Sequence, residues 1–194
     1  MNSPSHPCKL LILIGSPRKN GNSALLAGHA ANAAQQNGAA VETVFLQDLG
    51  IRPCEGCSVC RESVDAPCIL NDGMAALYPK LREADAILIA TPIYSYGMTA
   101  QTKLLVDRLY ALGSGSGNAL KEKRFGFLVV YGAGDPVSAG ATTAMRCFHD
   151  TFARKASWMR TVHGTAYAAG DAAKNERLVQ DATQLGADLV VSSG

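Results

Sequence analysis

The chain has 194 residues, 47% of them hydrophobic and 18% charged, with a formal net charge of +2. This length suits one compact domain over residues 1–194, and the small charge without a basic stripe argues against nucleic-acid binding. No apolar run reaches the ~18 residues of a membrane-spanning helix, and the first residues lack the pattern of a secretion signal. We therefore expect a cytoplasmic protein that does not bind membranes.

Strand signals recur along the chain. Continuous aliphatic runs lie at residues 9–15, 86–91 and 125–132. Runs without alternation are typical of parallel strands that are covered on both faces. The run at 40–46 alternates and suits a strand nearer an edge, and 161–168 is a weaker fifth candidate.

Helical patterns lie between these strands. They cover residues 23–36, 72–84, 98–112, 140–157 and 174–192. Such alternation predicts an α/β fold, a flavodoxin-like doubly wound five-stranded parallel sheet of order 2-1-3-4-5 with helices on both faces. Ligands of such sheets bind beyond the carboxyl ends of the strands, so chemistry is expected in the loops after residues 14, 91 and 131.

The loop after the first strand reads "GSPRKNGNS", residues 15–23. Small residues let backbone amides turn toward an anion, and the N-terminus of the following helix adds partial positive charge. Ser16, Asn22 and Ser23 supply neutral donors and Arg18 supplies charge. The loop lacks the lysine of a Walker A motif and the spacing of G-x-G-x-x-G, so we predict a phosphate cradle outside those two classes.

The loop after the third strand reads "TPIYSYGM", residues 91–98. Pro92 ends the strand and fixes a turn, while Tyr94, Tyr96 and Gly97 combine aromatic surface with a permissive backbone. A flat, redox-active ring could lie against such a loop, with backbone amides bonding its polar edge. The two loops face each other across the predicted switch point of the sheet, which favours one shared ligand.

Four of the six cysteines follow the spacing C-x2-C-x2-C-x7-C. They are Cys54, Cys57, Cys60 and Cys68. Three thiolates at this spacing can wrap an iron–sulfur cubane that the fourth completes, whereas structural zinc usually takes two separated pairs. A metal-free loop of reduced thiols, able to form a reversible disulfide, stays open as an alternative.

Other reactive side chains have simpler interpretations. Lys103 and Asp107, four residues apart, suit a helix-surface pair or an interface contact. His163 is isolated and is interpreted as solvated or satisfied. Cys8 and Cys147 are lone thiols, which we expect to be inert.

Three segments, "GSPRKNGNS", "PCEGCSVC" and "TPIYSYGMTAQTKLLVDR", resemble the NADPH-dependent FMN reductases of the flavodoxin-like superfamily, especially the branch that includes iron–sulfur flavoproteins. The resemblance covers most of the chain and weakens after about residue 135. It implies non-covalent FMN and a homodimer or homotetramer. The FMN-binding residues it implies are Ser16, Arg18, Asn22 and Ser23 for the phosphate, Pro92, Ile93, Tyr94, Ser95, Tyr96 and Gly97 for the isoalloxazine ring, and Tyr131 and Gly132 flanking that ring.

We therefore expect an FMN-dependent oxidoreductase that takes a hydride from NAD(P)H and passes electrons to flavin, a quinone or another small acceptor. No acid–base residue is predicted, because the flavin performs the difficult step. An alternative is an electron carrier that uses FMN and a [4Fe–4S] cluster between protein partners. A redox-sensing regulatory protein that uses the same thiols is a third reading. The calculated pI of about 8.2 mildly favours the enzyme.

Overall fold

A computed structural model of the protein describes residues 6–62, 68–113, 118–132, 139–140, 142–144, 146 and 158–191. Its strands are β1 (Lys9–Ile14), β2 (Ala40–Phe45), β3 (Ala86–Tyr94), β4 (Gly97–Met98), β5 (Arg124–Tyr131) and β6 (Trp158–Thr165). Five of them form a parallel sheet in the order β2-β1-β3-β5-β6. Counted along the parallel strands, this is the predicted order 2-1-3-4-5, which is confirmed together with the flavodoxin-like α/β class.

Helices flank the sheet. They are α1 (Asn22–Gln36), α2 (Met74–Glu83), α3 (Ala100–Arg108), α4 (Asp171–Lys174) and α5 (Glu176–Val190), with 3₁₀ turns at Leu46–Leu49, Val59–Arg61 and Leu109–Leu112. The predicted helix at 140–157 lies mostly outside the described residues. None of the helices in the described ranges is long and apolar enough to cross a membrane.

Several elements differ from the sequence prediction. Instead of starting at residue 98, α3 begins after Thr99, whose side chain accepts a hydrogen bond from the Thr102 N–H and caps the helix. The preceding strand β4 was not predicted, and it pairs antiparallel with the end of β3. The helix predicted at 174–192 begins at Glu176, because Asn175 caps α5, and the short helix α4 before it was not predicted. Strand β6 begins three residues earlier than predicted, because it pairs with β5 along its whole length.

The core lies on both faces of the sheet, which explains why the central strands are continuously apolar. Successive residues of β1, such as Ile12 and Leu13, are fully buried in different clusters. One cluster contains side chains of α1 and α5, and the other contains side chains of α2 and α3. Helices α1 and α5 cross so closely that a Cβ at Gly186 would lie 2.0 Å from the Ala30 carbonyl oxygen, so only glycine fits there.

Candidate functional site

A cleft of about 410 Å³ opens at the carboxyl ends of the sheet strands. It is formed by the β1 loop (residues 15–21), the start of α1, the end of β3, the end of β5 and the segment 166–169 that follows β6. The residues lining it are Ser16, Arg18, Gly21, Asn22, Ser23, Pro92, Ile93, Tyr94, Val130, Tyr131, Gly132, Ala166, Tyr167, Ala168 and Ala169. The switch-point position predicted from the alternation of elements therefore coincides with a cavity.

The β1 loop turns back on itself. Ser16 Oγ accepts a hydrogen bond from the Arg18 N–H at 3.1 Å, and the Gly21 N–H donates to the Arg18 carbonyl at 3.1 Å. No side chain caps the N-terminus of α1 and its first turn holds no acidic residue. The first backbone N–H groups and the helix dipole therefore face the cleft without a competing carboxylate, an arrangement that favours an anion such as phosphate.

Asn22 has a different role from the one predicted for its side chain. Its Nδ2 donates to the carbonyls of Ala166, at 3.2 Å, and Ala168, at 2.8 Å, and its Oδ1 accepts from the N–H groups of Gly170, at 3.0 Å, and Ala172, at 3.2 Å. An amide has two donor hydrogens and two lone pairs, and these four bonds use them all. Any contact of Asn22 with an anion is therefore left to its backbone N–H.

The end of β3 contributes Pro92, Ile93 and Tyr94 to the cleft. Ser95, Tyr96 and Gly97, also predicted as ring-binding, do not line it. Ser95 and Tyr96 form the two-residue turn between β3 and β4, with φ of 47° and 66°. Positive φ at both central positions is the geometry of a type I′ hairpin turn, which directs these side chains outward, and Tyr96 is 76% exposed.

The end of β5 contributes Tyr131 and Gly132. Tyr131 is buried, and its hydroxyl lies 2.9 Å from His163 Nδ1, so His163 is satisfied by a protein partner, as the sequence indicated. Tyr167 lies over Gly132, where an added Cβ would be 2.4 Å from the Tyr167 ring. The glycine therefore allows this aromatic ring to approach the floor of the cleft.

Sequence reasoning missed part of the lining, namely Gly21, Val130, Ala166, Tyr167, Ala168 and Ala169. The segment 166–169 was missed because the fifth strand was predicted to run to residue 168, whereas β6 ends at Thr165. The turn signal at Gly170, which has φ of 85°, indicates a loop just before it.

The four clustered cysteines lie on the cysteine loop, residues 52–68, of which 63–67 are outside the described part. Cys54 and Cys57 are exposed, Cys60 is buried and Cys68 is half-buried. Burial raises the pKa of the Cys60 thiol, and the neighbouring thiols of Cys68, Cys57 and Cys54 raise it further. The other three thiols of the loop therefore affect the charge of Cys60.

No group of three or more His, Cys, Asp or Glu side chains in the described ranges is placed to hold a single metal ion. A cubane cluster takes its four thiolates on four different irons, so its ligands need not converge on one point as those of zinc do. The donor set of the cysteine loop therefore fits a cluster by its chemistry. Cys8 is a half-buried thiol apart from this loop, and Cys147 lies outside the described residues.

A buried ion pair anchors the cysteine loop to α3. Arg108 and Asp72 expose 1% and 4% of their side chains and form two hydrogen bonds, at 2.5 and 3.2 Å. Arg108 also donates to the carbonyl of Arg52 at 2.9 Å, at the start of the loop. Burial raises the pKa of Tyr78 to about 12, so its hydroxyl stays protonated and donates to the Arg108 carbonyl at 3.0 Å.

Fold and cleft together define a flavodoxin-like protein whose cleft joins an uncapped helix N-terminus to an apolar wall. The profile of the NADPH-dependent FMN reductase family matches residues 8–160. The chain therefore belongs to this family, and its class is that of the FMN-dependent oxidoreductases.

Two curated relatives come from archaea. The chain is 34% identical to an iron-sulfur flavoprotein of Methanocaldococcus jannaschii over 144 residues, which are 74% of this chain and 71% of the relative. It is 33% identical to an iron-sulfur flavoprotein of Methanosarcina thermophila over 156 residues, 80% of this chain and 74% of the relative. The resemblance to this branch of the family is thus confirmed.

Solved structures agree on the fold. An NAD(P)H:quinone oxidoreductase from Methanothermobacter marburgensis matches with a TM-score of 0.73 at 15% identity, covering 97% of this chain and 100% of that one. A flavone reductase matches with a TM-score of 0.71 at 22% identity, covering 94% of this chain and 62% of that one. At these identities the likeness concerns the fold alone.

Proposed function

We propose that the chain oxidises NADH or NADPH and passes the electrons, through bound FMN, to flavin, a quinone or another small acceptor. The observation that carries the proposal is the cleft itself. It joins the uncapped N-terminus of α1 to the wall formed by the ends of β3 and β5, so one side suits a phosphate and the other a flat ring.

Each side of the cleft has its own task in this proposal. The FMN phosphate would be held by Ser16, Arg18, Ser23 and the backbone N–H of Asn22. The isoalloxazine ring would lie against residues 92–94, with Tyr131 and Gly132 flanking it. Since Ser95, Tyr96 and Gly97 do not line the cleft, we assign them to the turn that holds Tyr94 in place.

FMN, when bound, would accept the hydride and pass on the electrons, chemistry that no protein side chain supplies. The residues that line the cleft would hold and orient it. At the cleft Tyr94 is partly exposed and Tyr167 largely exposed, so a flat substrate could stack against them. Lys19 is held at 2.8 Å by Asp48, so Arg18 is the better candidate for the charge that meets a phosphate.

The experiment is an assay of NADPH and NADH oxidation by the purified chain with added FMN, using a quinone or free flavin as acceptor. Oxidation that depends on FMN supports the proposal, and its absence with every acceptor contradicts it. Arg18→Ala should weaken FMN binding roughly tenfold, by loss of a charge-assisted contact. Arg82→Ala removes an exposed arginine of α2 outside the cleft and should leave FMN binding unchanged.

A second candidate function is electron transfer between protein partners through FMN and a [4Fe–4S] cluster. It is favoured by the four thiols of the cysteine loop, three of which act on the charge of Cys60, and by the names of the two archaeal relatives. In this function Cys54, Cys57, Cys60 and Cys68 would ligate the cluster.

Iron and acid-labile sulfide analysis after anaerobic purification tests the second candidate. About four irons per chain support it, since one cubane holds four. Cys57→Ser should then lose the iron, whereas Cys8→Ser, which changes a thiol outside the loop, should retain it. An iron-free protein with full flavin-dependent activity would contradict the electron-carrier function and support the reductase.

Homo-oligomerisation is also proposed. Tyr94, Tyr96 and Tyr167 are exposed by 42%, 76% and 83%, at or beside the cleft. Tyrosine is enriched at protein interfaces, where its ring is buried and its hydroxyl finds a partner. Light scattering during size-exclusion chromatography should give a dimer or tetramer mass, and a monomer mass would contradict this.

A further inference from the structure

Three threonine side chains form a buried hydroxyl network beside the cleft. Thr91 ends the buried part of β3, Thr99 caps α3 and Thr102 lies in its first turn, and none is more than 1% exposed. Thr102 Oγ1 donates to Thr91 Oγ1 at 3.0 Å and lies 2.9 Å from Thr99 Oγ1. No member of the network lines the cleft.

The network reaches both loops that carry the proposed FMN contacts. Thr99 Oγ1 donates to the carbonyl of Gly15 at 2.7 Å, next to Ser16 of the β1 loop. Thr91 Oγ1 donates to the carbonyl of Pro92 at 3.0 Å, in the wall at the end of β3. Each hydroxyl has one proton: those of Thr91 and Thr99 go to the two loops, and that of Thr102 goes to Thr91. The backbone N–H of Thr102 donates to Thr99 Oγ1 at 3.3 Å.

Packing makes the link between these loops tight. A Cβ at Gly15 would lie 1.9 Å from Thr102 Oγ1 and 3.1 Å from Thr99 Oγ1, so the backbone of the β1 loop rests directly on the hydroxyls. The Gly15 N–H also donates to the Ala90 carbonyl of β3 at 2.8 Å. A buried network in which every hydroxyl donates its proton resists deformation, because each lost bond leaves a polar group unpaired.

We propose that Thr102, acting through Thr99 and Thr91, is a positioning residue that sets the distance between the phosphate side and the ring side of the FMN site. The inference rests on the proposed function, and it adds a residue that touches no part of the cofactor. A ligand with two binding ends gains affinity when both subsites are held at its own length. FMN has both ends, whereas riboflavin lacks the phosphate, so only FMN should depend on the network.

The test compares FMN and riboflavin binding to the full chain freed of flavin, by quenching of flavin fluorescence. Thr102→Val keeps the shape of the side chain and removes its hydroxyl. We expect FMN affinity to fall by about tenfold, and riboflavin affinity to stay within about twofold. The ratio of the two affinities is the readout, because a general loss of stability lowers both alike.

Two controls separate positioning from stability. Thr102→Ser keeps the hydroxyl and should retain the wild-type ratio. Ile87→Val shortens a buried side chain of β3 away from the network, and should retain the ratio although it lowers the melting temperature. Thr91→Val removes the acceptor of the same Thr102–Thr91 hydrogen bond. It takes the place of Thr102→Val in the test if Thr102→Val does not fold.

An unchanged ratio in folded Thr102→Val or Thr91→Val, with wild-type FMN binding intact, would overturn this inference and leave the proposed function standing. The inference would also be overturned if the ratio of FMN to riboflavin affinity fell as much in Ile87→Val as in Thr102→Val. A wild-type chain that binds neither flavin would overturn the proposed function and this inference with it.

Discussion

Asn22 shows how the hydrogen-bonding capacity of one side chain decides its role. The sequence places it in a loop rich in donors, and it was therefore predicted to bind phosphate. In the folded chain all four of its bonds go to the backbone of residues 166–172, more than 140 positions away along the chain. No local pattern reveals such partners, so only the tertiary structure could show that Asn22 holds the segment bearing Tyr167.

Asn22→Ala should release that segment. The N–H groups of Gly170 and Ala172 lose their acceptor, and we expect hydrogen exchange at both amides to rise and the free energy of unfolding to fall by about 1–3 kcal/mol. Asn37→Ala, at the other end of α1, removes a single bond to the Ala33 carbonyl and is the matched control. Unchanged exchange at the two amides in Asn22→Ala would contradict the assignment.

Among the elements, the β3–β4 hairpin is built against local preference. Its two-residue turn needs positive φ at both central positions, and Asn-Gly is the sequence that suits it. Here Ser95 and Tyr96 occupy those positions at φ of 47° and 66°. Strain of this kind persists where the surrounding structure imposes it, often at binding sites. Here the turn is followed at once by β4 and by Thr99, the cap of α3.

Replacing the turn by Asn-Gly, in the double variant Ser95→Asn/Tyr96→Gly, should therefore stabilise the chain. We expect the free energy of unfolding, measured with a denaturant, to rise by about 1–2 kcal/mol, because residues other than glycine are destabilised by about this much in the left-handed region. Tyr96→Ala keeps the strain and removes the same exposed ring, so it should show no gain. Equal stability of the double variant and Tyr96→Ala would show that the turn is unstrained.

Helix α3 connects the two chemical regions of the molecule. Its N-cap and first turn supply Thr99 and Thr102 of the threonine network, and its last residue, Arg108, binds Asp72 and the start of the cysteine loop. The periodicity of residues 98–112 predicted a helix here, but it did not predict a buried arginine. A side chain of this type is buried only when it is paired, and the periodicity of the helix does not identify Asp72 as the partner.

Asp72→Asn should be strongly destabilising. Removing one partner of a buried ion pair costs about 3–5 kcal/mol, because the remaining charge is left buried and uncompensated. Asp107→Asn is the control on the same helix, since the Lys103–Asp107 pair is about half exposed and should contribute less than about 1 kcal/mol. Equal losses of unfolding free energy in the two variants would contradict the role given to Asp72.

Low pH should destabilise the protein through the carboxyl of Asp72. Burial opposes its charge, but hydrogen bonds from Arg108 and from the N–H groups of Arg52 and Met74 outweigh burial, and the pKa of Asp72 lies below its ordinary value of 3.8. A lowered folded pKa means that the stabilisation is complete above that ordinary value and is lost as pH falls through the folded one. Below about pH 4 the wild type should therefore lose more stability than Asp72→Asn.

At the scale of the whole molecule, the parallel order and the switch-point cleft were predictable, because continuous aliphatic runs and alternating elements leave few topologies. Nine of the twelve predicted FMN residues line one cleft. The part of the lining that the sequence did not predict is residues 166–169. Its prediction required the position where β6 ends, which is set by pairing with β5 rather than by local sequence. The cysteine spacing identified the ligand type, but spacing alone does not determine whether a cluster forms.

The central claim is that this cleft binds FMN, and an equilibrium titration of the flavin-free chain with FMN tests it most directly. Flavin fluorescence should be quenched with a stoichiometry of one FMN per chain, and Arg18→Ala should weaken the binding while Arg82→Ala should not. Absence of saturable binding to the folded wild-type chain, or equal binding by Arg18→Ala and wild type, would contradict the placement of FMN in this cleft.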